Sequence, residues 1–425
     1  MRVLAHDVPK HLNQEIEIAG WVHRIRELGQ VNFVILRDRS GFVQLVFHEK
    51  PEFSHESVLR VIGRVSSNDK APGGAEITPS SVTLLSPAAP EIPINIHQDP
   101  EKYPLDALLD NRILSLRFPK IRAIFQLQSA ILHYLSAYMH SQQFFEIKTS
   151  KLISTGTEGG TNLFSVDYFE NKVFLAQSPQ FYKEVMVSSG LERVFEISHA
   201  YRAEKHDTPR HLNEYVSFDV EMAFIQSEAD LMDFERGLLN YVFAQIAEHN
   251  QAELDAWGAT VPAPGAMERA PVVDHEEAKE LIFKETGKKV FEITPEGERA
   301  LCDWAQREHG VDAVFLNGWP RKKRPFYTYP SADGLRTMSF DLIFRGLEIT
   351  SGGRRIHELS MFLDALPKFG LTREGMSDYA SIFEFGCPPH GGFAIGVERL
   401  TQKILGLANV KEASPFPRDR KRVRP

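Results

Sequence analysis

Two short stretches of the chain, Tyr201–Glu204 (YRAE) and Gly396–Arg399 (GVER), each place an arginine beside an acid at the edge of a strand-like run. The first leads into a polar loop with Arg210 and His211 and then an alternating return strand, which predicts a hairpin with a cationic tip. The second follows a glycine-rich run that lets a flat group approach the backbone closely, and guanidinium groups stack on such groups and bind phosphate. Together they indicate a nucleotide triphosphate clamp. It is neither a Walker loop nor a dinucleotide fingerprint, because the sequence contains no GxxxxGK followed by Ser or Thr and no GxGxxG.

The composition sets broad limits. The chain has 425 residues, a net charge of −8, 42% hydrophobic and 25% charged residues, which is typical of a soluble protein with more than one domain. Its start has no apolar core of signal-peptide length, and no apolar run approaches the length of a membrane span, so we expect no membrane partner. Cys302 and Cys387 form no CxxC motif, which argues against a disulfide framework or a zinc site and favours the cytoplasm.

The order of turn signals and periodic segments predicts two domains. Residues 1–90 contain short β-rich segments, which predict a small barrel. Residues 91–119 are proline-rich and are expected to form a hinge or linker. Residues 120–425 begin with a long helix and favour an α+β domain built on an antiparallel sheet. The predicted barrel strands are Glu15–Ile25, Phe33–Arg37, Val43–Phe47, Val58–Val65 and Ala75–Leu85.

Further motifs join the first two in a recognisable order. Together with YRAE and GVER, they resemble the aspartyl-tRNA synthetase family of class II aminoacyl-tRNA synthetases, in its compact archaeal form. The resemblance covers essentially the whole chain, and several motifs in the family's order are far more specific than one. It implies an N-terminal all-β OB-fold barrel that binds the anticodon, followed by a class II catalytic domain. The additional motifs are TGTEGG (155–160), FLAQSPQFYKEVM (174–186), EITSGGRRIH (348–357) and FPRDRKRVRP (416–425).

The resemblance also implies an activity. A member of this family uses ATP to activate L-aspartate as aspartyl-adenylate and transfers it to the 3′ end of tRNA(Asp). Arg202 and Arg399 are the implied catalytic residues: Arg202 contacts the α-phosphate and substrate carboxylate, and Arg399 stacks on adenine. The implied ATP-binding residues are Arg202, Glu204, Arg210, His211, Tyr215, Glu348 and Arg399.

A second constellation contains Asp341, Glu348 and Ser351. Hard oxygen ligands of this kind, few in number, suit Mg²⁺ that is also held by substrate phosphates. Taken alone, the spacing of these residues is equally consistent with two acids at a solvent-exposed edge of the sheet. The resemblance assigns these three positions to Mg²⁺.

Specificity for aspartate is expected from Lys183 and Arg355. Two cations that converge on one small pocket favour a carboxylate side chain over a neutral amide. Lysine on a helix is usually a surface residue, and it is the preceding QSPQFY motif that assigns Lys183 to the pocket. The resemblance adds residues that grip the substrate ammonium or tune the pocket: Glu158, Gln180, Asp219 and His390.

The implied anticodon contacts are Arg26, Phe33, Gln44 and Glu76. On an isolated barrel, a core phenylalanine with surface charges would be the more common interpretation; the resemblance favours base stacking and base-edge contacts. Discriminating archaeal-type enzymes tend to carry Trp and Lys where this chain has His23 and Pro72, and proline has no N–H and no polar side chain with which to read a base edge. We therefore expect tRNA(Asn) as a second substrate and an amidotransferase as a functional partner. The alternative is a discriminating enzyme in which these loop positions have varied without a change in tRNA specificity.

Two rival functions are disfavoured, and one motif departs from the family pattern. An asparaginyl-tRNA synthetase is disfavoured by Lys183, and an asparagine synthetase without tRNA is disfavoured by the N-terminal barrel. Motif 1 of the family ends in a proline that contacts the partner subunit, whereas this chain has Ser150; a homodimer is still expected. The run Arg321–Arg324 is expected to be a solvated loop.

Overall fold

The computed structural model describes residues 2–29, 31–156 and 163–424, which form two compact units, residues 1–95 and 96–425. The strands, in chain order, are β1 Glu15–Leu28, β2 Val31–Arg37, β3 Phe42–Phe47, β4 Val58–Ser67, β5 Ala75–Ser86, β6 Phe145–Glu146, β7 Leu152–Ile153, β8 Ser165–Tyr168, β9 Asn171–Leu175, β10 Arg193–Tyr201, β11 Glu214–Ala223, β12 Val272–Asp274, β13 Ala313–Asn317, β14 Ser339–Phe344, β15 Leu347–Arg354 and β16 His390–Gly396. The α-helices are α1 Leu105–Asp110, α2 Arg112–Ser115, α3 Pro119–Ser141, α4 Gln180–Met186, α5 Glu228–His249, α6 Gln251–Asp255, α7 His275–Thr286, α8 Pro295–His309, α9 Leu359–Ala365, α10 Ser377–Glu384 and α11 Val397–Leu405.

The first unit is a closed barrel with the strand order β1-β2-β3-β5-β4. Buried and accessible residues alternate along β1 and β4, and the inward set fills the barrel with aliphatic side chains such as Ile18, Leu45 and Val61. Alternation of this kind places every second side chain on the same face of a strand, so the predicted barrel follows directly from the sequence pattern.

One irregularity in β1 could not be read from the sequence. Val22 pairs with Leu36 and Arg24 pairs with Ile35, so the register shifts by one residue and His23 is the extra residue of a β-bulge. A bulge bends the strand and redirects the side chains around it. His23 is thereby set apart from the regular alternation of its strand.

The second unit contains an eight-stranded sheet among the residues described, ordered β12-β13-β14-β15-β16-β11-β10-β6. Its central pairs are antiparallel, and the parallel pairs β12–β13 and β10–β6 lie at the two edges. The antiparallel sheet predicted for this domain is therefore confirmed.

The two faces of this sheet differ in chemistry. Phe218, Val220, Leu342 and Phe393 point into the main hydrophobic core, which α3, α5 and α11 cover. The residues between them, such as Asp219, lie on the opposite face, because successive side chains of a strand alternate. The sheet thus has one apolar face against helices and one polar face that is available for chemistry.

Local signals explain the two long helices. Pro119 occupies the first turn of α3, where its missing N–H costs nothing, and the buried residues Ile124, Leu127 and Ile131 recur at helical spacing. Ser227 and Asp230 form a capping box at the start of α5.

Several predicted boundaries need correction. The expected linker 91–119 contains α1 and α2, and residues from 96 onward belong to the second unit. The segment FFEIKTSKLI (144–153), whose composition favours one strand, contains only the short strands β6 and β7, and β7 joins β9 and β8 in a separate three-stranded sheet. Among the described helices, none combines the length and apolar character needed to cross a bilayer.

Candidate active site

The polar face of the large sheet brings the predicted site residues into one row. Asp219 lies opposite Ala394, Ala394 opposite Ser351, and Ser351 opposite Asp341 on four adjacent strands. Adjacent strands are about 4.8 Å apart, so the row extends roughly 14 Å from Asp219 to Asp341. Ala394 provides a floor without a bulky side chain in the middle of this row.

Two cavities open on this row at Asp219, Ala394 and Ser351, whereas the buried Asp341 lines neither of them. One, of about 280 Å³, lies over the ends of β11 and β16, and the other, of about 790 Å³, extends toward α4. They share part of their lining, so molecules bound in the two cavities would meet at the shared wall. The shared residues are Arg202, Tyr215, Ser217, Glu348, Ser351 and Ala394.

The larger cavity contains a buried lysine. Lys183 lies on α4, and only 2% of its side chain is exposed. Its Nζ donates to Asp219 Oδ1 at 2.9 Å and to the Val220 carbonyl oxygen at 3.4 Å, and it lies 3.4 Å from Glu221 Oε2. Ser217 also donates to Asp219, at 2.6 Å. The lysine is thus fixed by acceptors on β11 and is not a surface residue.

Arg355 approaches the same cavity from the end of β15. Its Nε donates to Glu221 Oε1 at 3.0 Å, and its Nη2 donates to Gln180 Oε1 at 3.3 Å and to the Gly392 carbonyl oxygen at 3.1 Å. A Cβ at position 392 would lie 2.0 Å from the Val220 carbonyl oxygen and 2.4 Å from Glu221 Oε2, which only glycine avoids. Among the described residues, no acceptor bonds Arg355 Nη1.

The two cations of this pocket are accompanied by two buried acids. Lys183 and Arg355 face the buried carboxylates of Asp219 and Glu221, and the sequence analysis did not select Glu221. Burial alone would raise the pKa of Glu221, but Arg355 and Lys183 outweigh it and hold that pKa below its ordinary value. The pocket is an ordered network of alternating charges.

His390 lies behind this pocket and lines neither cavity. Its Nε2 lies 2.9 Å from Glu184 Oε2, which also accepts from the Tyr379 hydroxyl at 2.6 Å, and Gln180 donates to the other Glu184 oxygen at 2.7 Å. Burial would lower the pKa of His390, but its contacts with Cys387 and Glu184 raise it to about 10. His390 therefore positions Gln180 through Glu184, a residue that the sequence analysis missed although it follows Gln180 at helical spacing.

The smaller cavity is lined by the residues predicted to bind ATP. Arg399 Nη1 donates to the Glu348 carbonyl oxygen at 2.9 Å and lies 3.5 Å from Glu348 Oε1. The Arg202 guanidinium lies 5.7 Å from the centre of the Tyr215 ring. Arg202, Tyr215 and Arg399 are thus brought to one cavity from three separate elements.

The acid of the GVER motif has a structural task. Both oxygens of the buried Glu398 carboxylate accept from the Val216 N–H at 3.0 Å. Burial raises the pKa of Glu398 to about 7, although the hydrogen bond from Val216 opposes that shift. Glu398 ties the start of α11 to β11, which aligns Arg399 with Tyr215 across the cavity.

The hairpin tip is held by residues outside the predicted set. Arg210 forms an ion pair with Glu298 of α8, and His211 Nδ1 lies 2.6 Å from the Thr208 hydroxyl. Burial, followed by the nearby Arg399 charge, lowers the pKa of His211. Glu204, Arg210 and His211 all line the smaller cavity, as predicted.

The predicted magnesium ligands lie together, with an unexpected partner. Arg324 Nη2 donates to Asp341 Oδ2 at 2.6 Å, and Arg324 Nη1 donates to Ser351 Oγ at 2.9 Å. The run Arg321–Arg324, expected to be solvated, therefore contributes a half-buried guanidinium to the site, and that expectation is wrong for Arg324.

The donor set fits a divalent cation. Asp341 is buried, and its Oδ1 accepts no hydrogen bond from the part of the chain that the structure describes. Burial raises the pKa of Asp341 to about 6; Arg324 opposes this shift and Glu348 adds to it. An orphaned carboxylate oxygen close to a second carboxylate and a hydroxyl is what Mg²⁺ coordinated mainly by phosphates would require.

On the barrel, the predicted anticodon residues share an outer face. Arg26 pairs with Phe33 across β1 and β2, and Gln44 pairs with Glu76 across β3 and β5. Gln44 Nε2 donates to Glu76 Oε2 at 2.8 Å, and Asn68, which the sequence analysis missed, donates to the same oxygen at 2.7 Å.

His23 and Pro72, the two residues linked to acceptance of tRNA(Asn), lie at different places on the barrel. The His23 ring centroid is 4.8 Å from that of Phe42, and His23 Nδ1 is 3.3 Å from Nη1 of Arg37, which pairs with the buried Glu56. Pro72 begins a 3-10 turn in the connection between β4 and β5. Glu158, predicted to bind the substrate ammonium, lies outside the described residues.

Comparison with known proteins agrees with this architecture. The family described as "tRNA synthetases class II (D, K and N)" matches residues 104–420, and the one described as "OB-fold nucleic acid binding domain" matches residues 16–85. The chain is similar to the aspartate–tRNA(Asp/Asn) ligase of Thermus thermophilus, with 46% identity that covers 100% of both chains. It is also similar to the aspartate–tRNA(Asp) ligase of Pyrococcus horikoshii, with 38% identity over 99% of each chain.

A solved structure points to the same fold. The asparaginyl-tRNA synthetase of Pyrococcus horikoshii, complexed with asparaginyl-adenylate, superposes with a TM-score of 0.91 and covers 100% of both chains at 26% identity. The chain therefore shares its fold with a synthetase named for asparagine, and the fold by itself does not identify the amino acid.

Proposed function

The chain belongs to the class II tRNA synthetases of the aspartate, lysine and asparagine group, and from this premise we propose that it is an aspartate–tRNA ligase. It would activate L-aspartate with ATP and transfer it to the 3′ end of tRNA. The observation that carries the choice of aspartate is the buried Lys183, held between Asp219 and Glu221 beside Arg355. Similarity over the full chain to ligases named for aspartate supports the same choice.

The pocket offers donors to a carboxylate. Arg355 carries only hydrogen-bond donors, and its Nη1 has no acceptor within the described chain. The side-chain carboxylate of aspartate presents acceptors on both oxygens. The amide of asparagine would turn an NH₂ group toward one of these donors, which leaves a buried polar pair unmatched.

Arg202 lies at the shared wall of the two cavities, where the reacting groups would meet. The substrate α-carboxylate attacks the α-phosphorus of ATP, and pyrophosphate leaves. The Arg202 guanidinium offsets the charge that develops on the α-phosphate, while Arg399 and Tyr215 hold the adenine from opposite sides. Positioning and fixed positive charge would supply most of the rate in such a reaction.

The proposed metal ligands are Asp341, Glu348 and Ser351, of which Asp341 Oδ1 is free to coordinate within the described residues. When bound, Mg²⁺ would supply positive charge that offsets part of the charge of the substrate phosphates. The protein's part is to hold these oxygens on neighbouring strands, where the pairing of Asp341 with Ser351 fixes their separation.

Pyrophosphate exchange tests the proposed amino acid directly. The purified protein is incubated with ATP, Mg²⁺ and labelled pyrophosphate, with aspartate or asparagine as the amino acid. We expect kcat/KM for aspartate to exceed that for asparagine by at least about 10³-fold, since buried polar pairing rejects a mismatched analogue by roughly 10⁴–10⁵. Faster exchange with asparagine would identify an asparaginyl-tRNA synthetase instead.

We propose that the enzyme also charges tRNA(Asn). The relative with 46% identity is named for both tRNAs, while the one named for tRNA(Asp) alone shares 38%. An Asp-tRNA(Asn) product would require an amidotransferase to convert it to Asn-tRNA(Asn). Charging assays with purified tRNA(Asp) and tRNA(Asn) distinguish this from the alternative of a discriminating enzyme, which would charge only tRNA(Asp).

Substitution of His23 and Pro72 tests whether these residues allow the enzyme to charge tRNA(Asn) as well as tRNA(Asp). We expect the double variant His23→Trp, Pro72→Lys to lower kcat/KM for tRNA(Asn) about tenfold relative to tRNA(Asp), a discrimination of about 1.4 kcal/mol. Pyrophosphate exchange, which requires no anticodon, serves as the control and should not change. Equal charging of both tRNAs by the variant would rule out these positions as determinants.

We further propose a homodimer in the cytoplasm. Phe145 and Leu152, on the short strands that flank Ser150, expose 56% and 41% of their surface, which fits a surface covered by a second subunit. Ser150 itself bonds within its own segment, through its hydroxyl and Leu152. Sedimentation of the purified protein tests this assembly.

A further inference from the structure

Arg324 forms hydrogen bonds with two of the three proposed metal ligands. Its guanidinium bridges Asp341 Oδ2 and Ser351 Oγ, at 2.6 and 2.9 Å, and these residues face each other across β14 and β15. Both are among the side chains proposed above to bind Mg²⁺. One protein cation therefore already neutralises part of the anionic site.

The arginine is held from outside the sheet. It follows the 3-10 turn Arg321–Lys323, and its guanidinium lies 4.4 Å from the centre of the Trp319 ring. Its Nε is buried and makes no hydrogen bond to the residues that the structure covers. A cation on an aromatic face retains part of its stabilisation when its ionic partner is withdrawn, so Trp319 provides a place from which Arg324 can exchange partners.

The bridge leaves the site incompletely satisfied. Asp341 Oδ1 has no hydrogen-bond donor among the described residues, and the neighbouring Glu348 carboxylate lies 3.5 Å from Arg399. A divalent cation placed between Asp341 and Glu348 would use the orphaned oxygen and would repel a guanidinium at Oδ2. Arg324 and the metal would therefore compete for Asp341 and Ser351.

We propose that Arg324 is an internal counter-cation of the metal site: it holds Asp341 and Ser351 in place when no divalent cation is bound, and it must be displaced from them when one binds. This inference rests on the proposed function for the identity of the ligands. It assigns to Arg324 the role of a positioning residue that raises the metal concentration needed to fill the site.

Metal binding without nucleotide tests the competition. Mn²⁺ alone is titrated into the full-length protein and followed by electron paramagnetic resonance. We expect Arg324→Gln to bind Mn²⁺ about tenfold more tightly than the parent protein, a difference of about 1.4 kcal/mol. Lys322→Gln removes the same charge from an exposed neighbour that also lines the larger cavity, and it should leave the midpoint within about twofold. Unchanged or weaker Mn²⁺ binding by Arg324→Gln would overturn the proposal.

Thermal unfolding separates this role from a purely structural one. Without metal, Arg324→Gln leaves the buried Asp341 carboxylate unpaired, so we expect a lower Tm than in the parent. Added Mg²⁺ should raise the Tm of the variant more than that of the parent, because a ligand that binds only the folded state stabilises it more when it binds more tightly. A deficit in Tm that is the same at every Mg²⁺ concentration would show that Arg324 only braces the fold.

A second variant and an independent activity assay separate the failure of this proposal from misfolding and from failure of the proposed function. If Arg324→Gln does not fold, Arg324→Lys retains the charge but cannot bridge both partners, and it should bind Mn²⁺ with intermediate affinity; affinity equal to the parent's would contradict the proposal. These titrations contain no ATP, aspartate or tRNA. Pyrophosphate exchange by the parent protein therefore reports independently on the proposed function.

Discussion

The two ends of the active site hold their charges in different ways. At the aspartate end, Lys183 and Glu221 expose 2% and 0% of their side chains, and every charge has a buried partner. At the nucleotide end, Arg399 and Glu348 expose 26% and 41%, and Arg210 is paired with Glu298 on another element. The first end is already assembled, whereas the cations of the second would have to change partners in order to bind phosphates.

The difference follows from what each end must recognise. A small amino acid is selected by a few polar contacts, and selectivity is largest when the donors and acceptors are desolvated and fixed. A triphosphate is large and strongly charged, and accessible arginines can bind it in several ways. We therefore expect mutations at the aspartate end to affect specificity and folding together, and mutations at the nucleotide end to affect mainly ATP binding.

The largest effect is expected for Lys183→Met. Loss of the lysine leaves Asp219 and Glu221 with one cation fewer, so kcat/KM for aspartate in pyrophosphate exchange should fall by about 10³-fold, equivalent to about 4 kcal/mol. Lys151→Met is a matched control, because Lys151 pairs with the buried Glu196 at 2.9 Å outside the two cavities. A comparable loss of exchange in that control would show that the effect reflects stability rather than the pocket.

A smaller and more selective effect is expected for Arg399→Ala. The KM for ATP should rise about 10- to 100-fold, or about 1.4–2.7 kcal/mol, while the KM for aspartate changes less than about twofold. Initial rates of pyrophosphate exchange at varied ATP and aspartate provide both values, with the exposed Arg307→Ala as control. Equal increases in the KM for ATP and the KM for aspartate would show that the two ends of the site do not act separately.

The two ends should also respond to pH with opposite signs. The pKa of Glu398 is raised by burial to about 7, so its neutral form favours the folded state, and this contribution is lost as the pH rises from about 4.5 through 7. The pKa of Glu221 is lowered, with Arg355 and Lys183 outweighing burial, so its contribution is lost as the pH falls through its folded pKa. The sign of the pH dependence thus distinguishes the neutral acid from the ion-paired one.

Glu398→Gln tests that sign. The variant cannot ionise, so its free energy of unfolding should decline less than the parent's between pH 5 and 7.5, by about 1–3 kcal/mol. Urea unfolding at several pH values measures this difference. Glu308→Gln, a surface change on α8, is the control. A slope identical to the parent's would mean that Glu398 is ionised in the folded protein throughout this range.

Much of the site was accessible from local sequence patterns. The alternating return strand predicted after the YRAE loop is β11, which carries Asp219, and the motifs selected Arg202 and Arg399, which line one cavity. The patterns could not give partners that come from distant parts of the chain. Glu298 reaches Arg210 from α8, and Arg324 reaches Asp341 from a loop, because the order of the strands brings these segments together.

By itself, the sequence determined the barrel, the antiparallel sheet and the family, since each depends on short-range periodicity or on motifs with fixed spacing. The tertiary structure decided which charges neutralise one another. It placed Glu221 between Lys183 and Arg355, set His390 behind Glu184, and made His23 the extra residue of a bulge. These outcomes depend on strand register and long-range packing, and a shift of one residue in register would move a strand residue such as Glu221 or His390 to the opposite face of the sheet.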